Sequence, residues 1–180
     1  MAVTKEMVDG CLVQDLRAQK ALYTQCLDRV YYTIRRYVSD EFFIENIIQD
    51  TFIKVYKNID RYDHKIAKFE TWITSIAIRE SINHLRKKKF EFNALEDSPN
   101  LVEKEASPLE NLQAEDVLAT LTCLPETHRS VFSMYEIDGY SHKEIGNLLG
   151  VTESTSRSYL TRAKIMFREH LTNMNYAIHE

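Results

Sequence analysis

Arg157, Ser158, Thr161 and Arg162 stand so that the last three follow the first by one, four and five residues. On a helix such residues can share an outward surface. Arg can take guanine O6 and N7 with two hydrogen bonds, and Ser or Thr can contact bases or phosphates, so the pattern suits reading duplex DNA. A second set, Arg79, Asn83 and Arg86, is spaced by four and three and is followed by Lys87, Lys88 and Lys89. One helix face carrying Arg, Asn and Arg can touch phosphates and base edges. The same basic run can equally do no more than complement a helix C-terminus and stay in water. A third stretch, DRYDHKIAKFETW, interleaves Arg61, His64, Lys65 and Lys68 with Tyr62, Phe69 and Trp72. Bases stack on rings while cations follow the backbone, at roughly 1 to 3 kcal/mol per stacked base, so this mixture suits a single strand. Core packing is the competing explanation for Phe69 and for Trp72, the only Trp in the chain.

The elements that must hold these residues are helices. In DGYSHKEIGNLLGVTESTSRSYLTRAK, Ser141 and Glu144 form a capping-box pattern, Ile145, Leu148 and Leu149 supply an apolar stripe, and Gly150 stops the helix. Gly146 permits close helix approach. Thr152 caps a second helix whose inner face is Leu160, Ala163 and Phe167. Two short helices joined by a tight Gly turn match the helix-turn-helix that lays its second helix in the major groove, and the alternative is a generic amphipathic hairpin. Further upstream, Leu27, Val30, Tyr31, Ile34 and Val38 follow three-and-four spacing. So do Ile44, Ile47, Ile48, Phe52, Val55 and Ile59, and a third helix is expected from about 70 to 89.

The composition agrees with this reading. The 180 residues are 44% hydrophobic and 28% charged, with only four Gly and three Pro, which argues for helices against sheets that turn on Gly. Lys plus Arg against Asp plus Glu is 16 to 12 over residues 1–90, 1 to 9 over 91–126, and 6 to 6 over 127–180. The acidic middle, with Pro99 and Pro108, reads as a solvated connector. The expected fold is therefore all-α, with two small helical domains at 1–90 and 116–180 and a flexible acidic linker at 91–115. Cys11, Cys26 and Cys123 are widely spaced and lack Cys-x-x-Cys pairing, so buried reduced thiols are expected and neither a disulfide framework nor a zinc site. No run approaches the ~20 apolar residues of a membrane span, and acids occupy the start where a signal peptide would be basic and then apolar, so a cytoplasmic chain without membrane insertion is expected.

With these residues in place, the sequence resembles the sigma-70 family of bacterial RNA polymerase sigma factors, in particular the small extracytoplasmic-function (ECF) group. NIIQDTF at 46–52, KVYKNIDRYD and FETWITSIAIRESINHLRKKK are similar to region 2 of that family, and residues 124–164 to region 4. The resemblance implies core RNA polymerase and promoter DNA as partners, with an anti-sigma factor as a further partner of the group, and no cofactor. It places the polymerase contact on Asn46, Gln49 and Asp50. It assigns the capture of a flipped −10 base to His64, Lys65, Lys68, Phe69 and Thr71, the −10 helix to Arg79, Asn83, Arg86 and Lys87, and the −35 helix to Arg157, Ser158, Thr161 and Arg162. Four residues depart from the family's usual types: Asn46 stands for an acid, Arg79 for Asn, Ser156 for an apolar residue and Tyr159 for Arg.

Two other functional classes compete for these residues. Glu45, Asp50 and Asp63 could bind magnesium in a nuclease, but no P-loop, Gly-x-Ser-x-Gly, metal triad or nucleophile with its base is visible, so no catalytic residue or metal ligand is expected. A helix-turn-helix regulator would bind duplex DNA without serving as a sigma subunit. It would not require the cationic and aromatic stretch at 61–89.

Overall fold

The computed structural model describes residues 3–92 and 121–177, and side chains over 3–87 and 121–170. Among these residues every regular element is helical and no strand occurs. The connector expected at 91–115, with Pro99 and Pro108, lies outside the described residues from 93 onward, as do the side chains of Lys88 and Lys89. The chain forms two compact units that divide between His84 and Leu85, within the last helix of the first half.

In the first unit, short polar side chains open the helices by accepting hydrogen bonds from first-turn amides that have no intrahelical acceptor. Thr4 Oγ1 accepts from Met7 N at 3.4 Å to begin α1 (Lys5–Leu12). The Asp15 carboxylate accepts from Arg17 N and Ala18 N at 3.3 and 3.1 Å to begin α2 (Leu16–Arg35). Asp40 accepts from Phe42 N at 3.0 Å to begin α3 (Glu41–Lys57). There Asn58 N donates to the carbonyls of Lys54 and Val55, and a 3-10 turn (Ile59–Arg61) follows, so Ile59 enters the core from the turn and not from the helix. The next helix, α4, runs Phe69–Phe92 and is longer at both ends than its apolar pattern indicated.

The core of this unit is the expected stripes with local substitutions. Ile44, Ile47, Ile48, Phe52 and Val55 are all buried along α3. On α2 the buried line is Leu22, Cys26, Val30 and Ile34, while Leu27 and Tyr31 are half-buried at its margin. Ile73, Ala77, Ile78 and Ile82 come from α4. Burial pushes the Cys26 thiol up to about 11 and raises Cys11 as well, which keeps both as unreactive packing groups. Cys123 departs from the expectation of buried thiols: it is exposed, with Sγ 3.3 Å from His170 Nε2.

In the second unit, beyond residue 121, α5 (Glu126–Phe132) passes through a π-helical turn (Ser133–Ile137) to the pair α6 (His142–Leu149) and α7 (Glu153–Ala177). Leu121, Leu124 and Ala163 pack together under Phe132 and Phe167, whose rings stack at 5.3 Å. Met134, Ile145, Leu149 and Leu160 are also buried.

Candidate nucleic-acid interface

The α6–α7 pair is built by its caps and its two glycines. Ser141 Oγ accepts from Glu144 N at 3.3 Å, and Glu144 Oε2 accepts from Ser141 N at 2.8 Å and from Ser141 Oγ at 2.7 Å. These bonds hold the Glu144 carboxyl below its usual range. Gly150 sits at φ 64°, the left-handed conformation that ends α6. A Cβ on Gly146 would stand 2.8 Å from Val151 O, so only Gly lets α6 approach the turn this closely. Thr152 Oγ1 accepts from Thr155 N at 3.1 Å and caps α7. Two helices with a tight turn result, and α7 exposes one side of its first turns while Ser156 and Leu160 are buried on the other.

Arg157, Ser158, Thr161 and Arg162 are all exposed on α7, as their spacing indicated. Glu153 pairs with Arg157 one turn apart, and the hydroxyls of Ser158 and Thr161 bond back to the carbonyls of Ser154 and Arg157 at 3.1 and 3.0 Å. An exposed pair of this kind contributes at most about 1 kcal/mol, so DNA can take the Arg157 guanidinium at little cost. Glu136 in the π-helical turn meets Lys164 Nζ at 2.6 Å and anchors α7 from the other side.

Ser156 lies next to Arg157 but is fully buried, and its Oγ is 3.0 Å from His142 Nδ1. The imidazole stacks on Tyr135 with centroids 4.4 Å apart and planes 19° apart. Burial first, then the Arg157 charge, moves His142 below the usual imidazole range; Lys164 adds to this and Glu153 opposes it. Sequence reading missed this pair. Its one visible sign was a Ser where an apolar inner-face residue is usual.

On the first unit, the segment between the 3-10 turn and α4 is a closed loop. Asp63 Oδ1 accepts from Lys65 N at 2.8 Å, Asp63 O accepts from Ile66 N and Ala67 N, and Tyr62 Oη donates to Ala67 O at 3.2 Å. His64, Lys65, Lys68 and Thr71 are exposed around it. Ile66, at 84% exposure, occupies the tip and was not singled out from the sequence. Phe69 requires a correction: at 3% exposure it is a core anchor and presents no ring for a base to stack on. It forms an aromatic triangle with Tyr62 at 5.0 Å and the half-buried Trp72 at 5.4 Å, and that triangle supports the loop from below.

Along α4, Arg79, Arg86 and Lys87 are exposed and Asn83 is half-buried between them. The adjacent acid, Glu80, is held by Lys54 of α3 at 2.6 Å, which leaves the Arg79 side cationic. On α3, Asn46, Gln49 and Asp50 are exposed on one face, continued at its two ends by Phe42 and Ile53 at 68% and 48% exposure. Exposed apolar groups that bracket polar ones are typical of a protein contact. Among the described residues, no three His, Cys, Asp or Glu side chains gather as a metal site, and no helix is long and apolar enough to cross a membrane.

The model of Sigma-70 region 2 matches residues 22–91, and that of Sigma-70 region 4 matches residues 114–166. The chain is 26% identical over 146 residues to the ECF RNA polymerase sigma factor SigM of Bacillus subtilis, covering 79% of this chain and 88% of that one. It is 28% identical over 181 residues to the ECF RNA polymerase sigma-E factor of Escherichia coli K12, covering 90% and 93%. Two solved structures share the fold: CnrH in complex with the cytosolic domain of CnrY, and RpoE in complex with the anti-sigma factor NepR from Bartonella quintana. The first has a TM-score of 0.50 at 18% identity, covering 95% of this chain and 98% of that one. The second has a TM-score of 0.51 at 19% identity, covering 85% and 96%.

Proposed function

The chain belongs to the sigma-70 family as an extracytoplasmic-function sigma factor, and from that premise we propose how its surfaces divide the work of promoter selection. The α3 face of Phe42, Asn46, Gln49, Asp50 and Ile53 docks on core RNA polymerase. The loop bearing His64, Lys65, Lys68 and Thr71 receives the melted −10 strand, and Arg79, Asn83, Arg86 and Lys87 of α4 contact the same element. Arg157, Ser158, Thr161 and Arg162 of α7 read the −35 element in the major groove. An anti-sigma factor, as for the Bartonella protein, is a further partner. The chain acts by binding, without catalysis, where polymerase and chromosome meet in the cytoplasm.

One observation carries this reading: two segments matched in the family's order each expose cations along one helix, Arg79, Arg86 and Lys87 on α4 and Arg157 and Arg162 on α7. A net charge of −4 makes binding by the chain alone weak, and polymerase supplies the local concentration. Flipping a base costs a few kcal/mol of unstacking, which the loop offsets once polymerase holds the duplex. Size-exclusion chromatography with core polymerase tests the assignment: the chain should co-elute with core, and Phe42→Asp should prevent it. A chain that ignores core and by itself shifts palindromic duplex DNA would instead be a conventional regulator.

A further inference from the structure

We propose that the buried His142–Ser156 pair, clamped against Tyr135, is a positioning element that sets the rotation of α7 and thereby aims its exposed residues at the −35 bases. This inference rests on the reading of α7 as the recognition helix. The bond is 3.0 Å long, and its two residues are 8% and 0% exposed. Ser156 is fully enclosed, so removing its hydroxyl leaves the His142 Nδ1 facing a methyl group in place of its hydrogen-bond partner. A hydrogen bond also weakens steeply with angle, whereas an apolar side chain at 156 would pack through a range of helix rotations. The Tyr135 ring fixes the plane of the imidazole, so one side chain registers three pieces: the π-helical turn, α6 and α7.

The consequence for recognition follows from geometry. Ser156 immediately precedes Arg157, in the turn of α7 that presents the base-reading side chains. Rotating a helix by about 15° sweeps a group about 6 Å from its axis through about 1.5 Å. Productive contacts tolerate only about 0.5 Å. A small loss of registration therefore removes sequence discrimination while leaving phosphate contacts and fold in place.

The test uses the full chain with core polymerase and sequences the transcripts from a promoter library randomised over the −35 element. Ser156→Ala should reduce the preference for the best over mismatched −35 sequences about tenfold. Total transcription from the pool should change much less, and α7 should remain folded by circular dichroism. His142→Phe, which keeps the stack on Tyr135 and loses the bond, should flatten the preference similarly. Ser156→Thr, which keeps a hydroxyl, should restore it. If Ser156→Ala and His142→Phe both retain the wild-type −35 preference, or if preference falls only in step with thermal stability, the positioning role is wrong. If the wild-type chain yields no promoter-specific transcripts, the sigma-factor assignment of α7 fails first and takes this inference with it.

Discussion

Replacing Gly146 by Ala adds one methyl group at a place where the neighbour cannot yield. The new Cβ would lie 2.8 Å from Val151 O, with Glu153 N at 3.5 Å and Thr152 C at 3.6 Å behind it. Ordinary contact requires the carbonyl to retreat by roughly 0.5 Å. Val151 N is at the same time bonded to Gly146 O at 3.0 Å, so the residue that must move is the one that Gly146 holds. Overpacking of this kind costs about 1 to 3 kcal/mol, and the helix preference of Ala over Gly returns about 1 kcal/mol. The net expectation is about 1 kcal/mol of destabilisation, or roughly 4 to 8 °C in the melting of a unit this small. The single tryptophan, Trp72, lies in the other unit, so its fluorescence should melt as in wild type while the far-UV circular dichroism loses helix earlier. A Gly146→Ala chain whose second unit melts at or above the wild-type temperature would refute the close-approach argument.

Other expectations follow from the same structure. Ser141→Ala removes the capping box and should cost the second unit about 1 kcal/mol in urea unfolding; an unchanged midpoint would contradict the cap's role. His142 and His128 both lie below the usual imidazole range, through burial and then the charges of Arg157 and Arg162 respectively. The unfolded chain binds protons that these rings refuse, so the stability they contribute is complete above about pH 6.5 and drains as pH falls below it. The second unit should accordingly melt lower at pH 5.5 than at pH 7.5, and His128→Phe with His142→Phe should flatten that dependence; a rise on acidification would have the wrong sign. Lys65→Ala with Lys68→Ala should impair transcription from intact linear promoters more than from pre-melted ones, and equal loss on both templates would remove the loop from strand opening.

The sequence disclosed most of this where local chemistry decides the outcome. Ser141, Glu144, Gly150 and Thr152 act through their own neighbours, and the structure has them as their types and spacing require. The α3 stripe was equally plain, because Ile44, Ile47, Ile48, Phe52 and Val55 at helical spacing leave one face to bury. What the sequence could not settle depends on tertiary contact. Phe69 reads the same whether it stacks on a base or packs under a loop, and only the triangle with Tyr62 and Trp72 decides for packing. Cys123 reads from its type as a buried thiol, yet it is exposed with its Sγ beside His170 Nε2, a contact between residues 47 apart. The His142–Ser156 bond joins residues fourteen apart across a turn, a pairing that helical periodicity does not encode.

Run-off transcription with purified core polymerase is the most direct measurement of the central claim. Core plus this chain should start transcripts at discrete promoters that core alone ignores. Arg157→Ala with Arg162→Ala should reduce initiation at promoters dependent on a −35 element while the complex with core still forms. Initiation no more selective with the chain than without it, or a double variant indistinguishable from wild type on those promoters, would contradict the account.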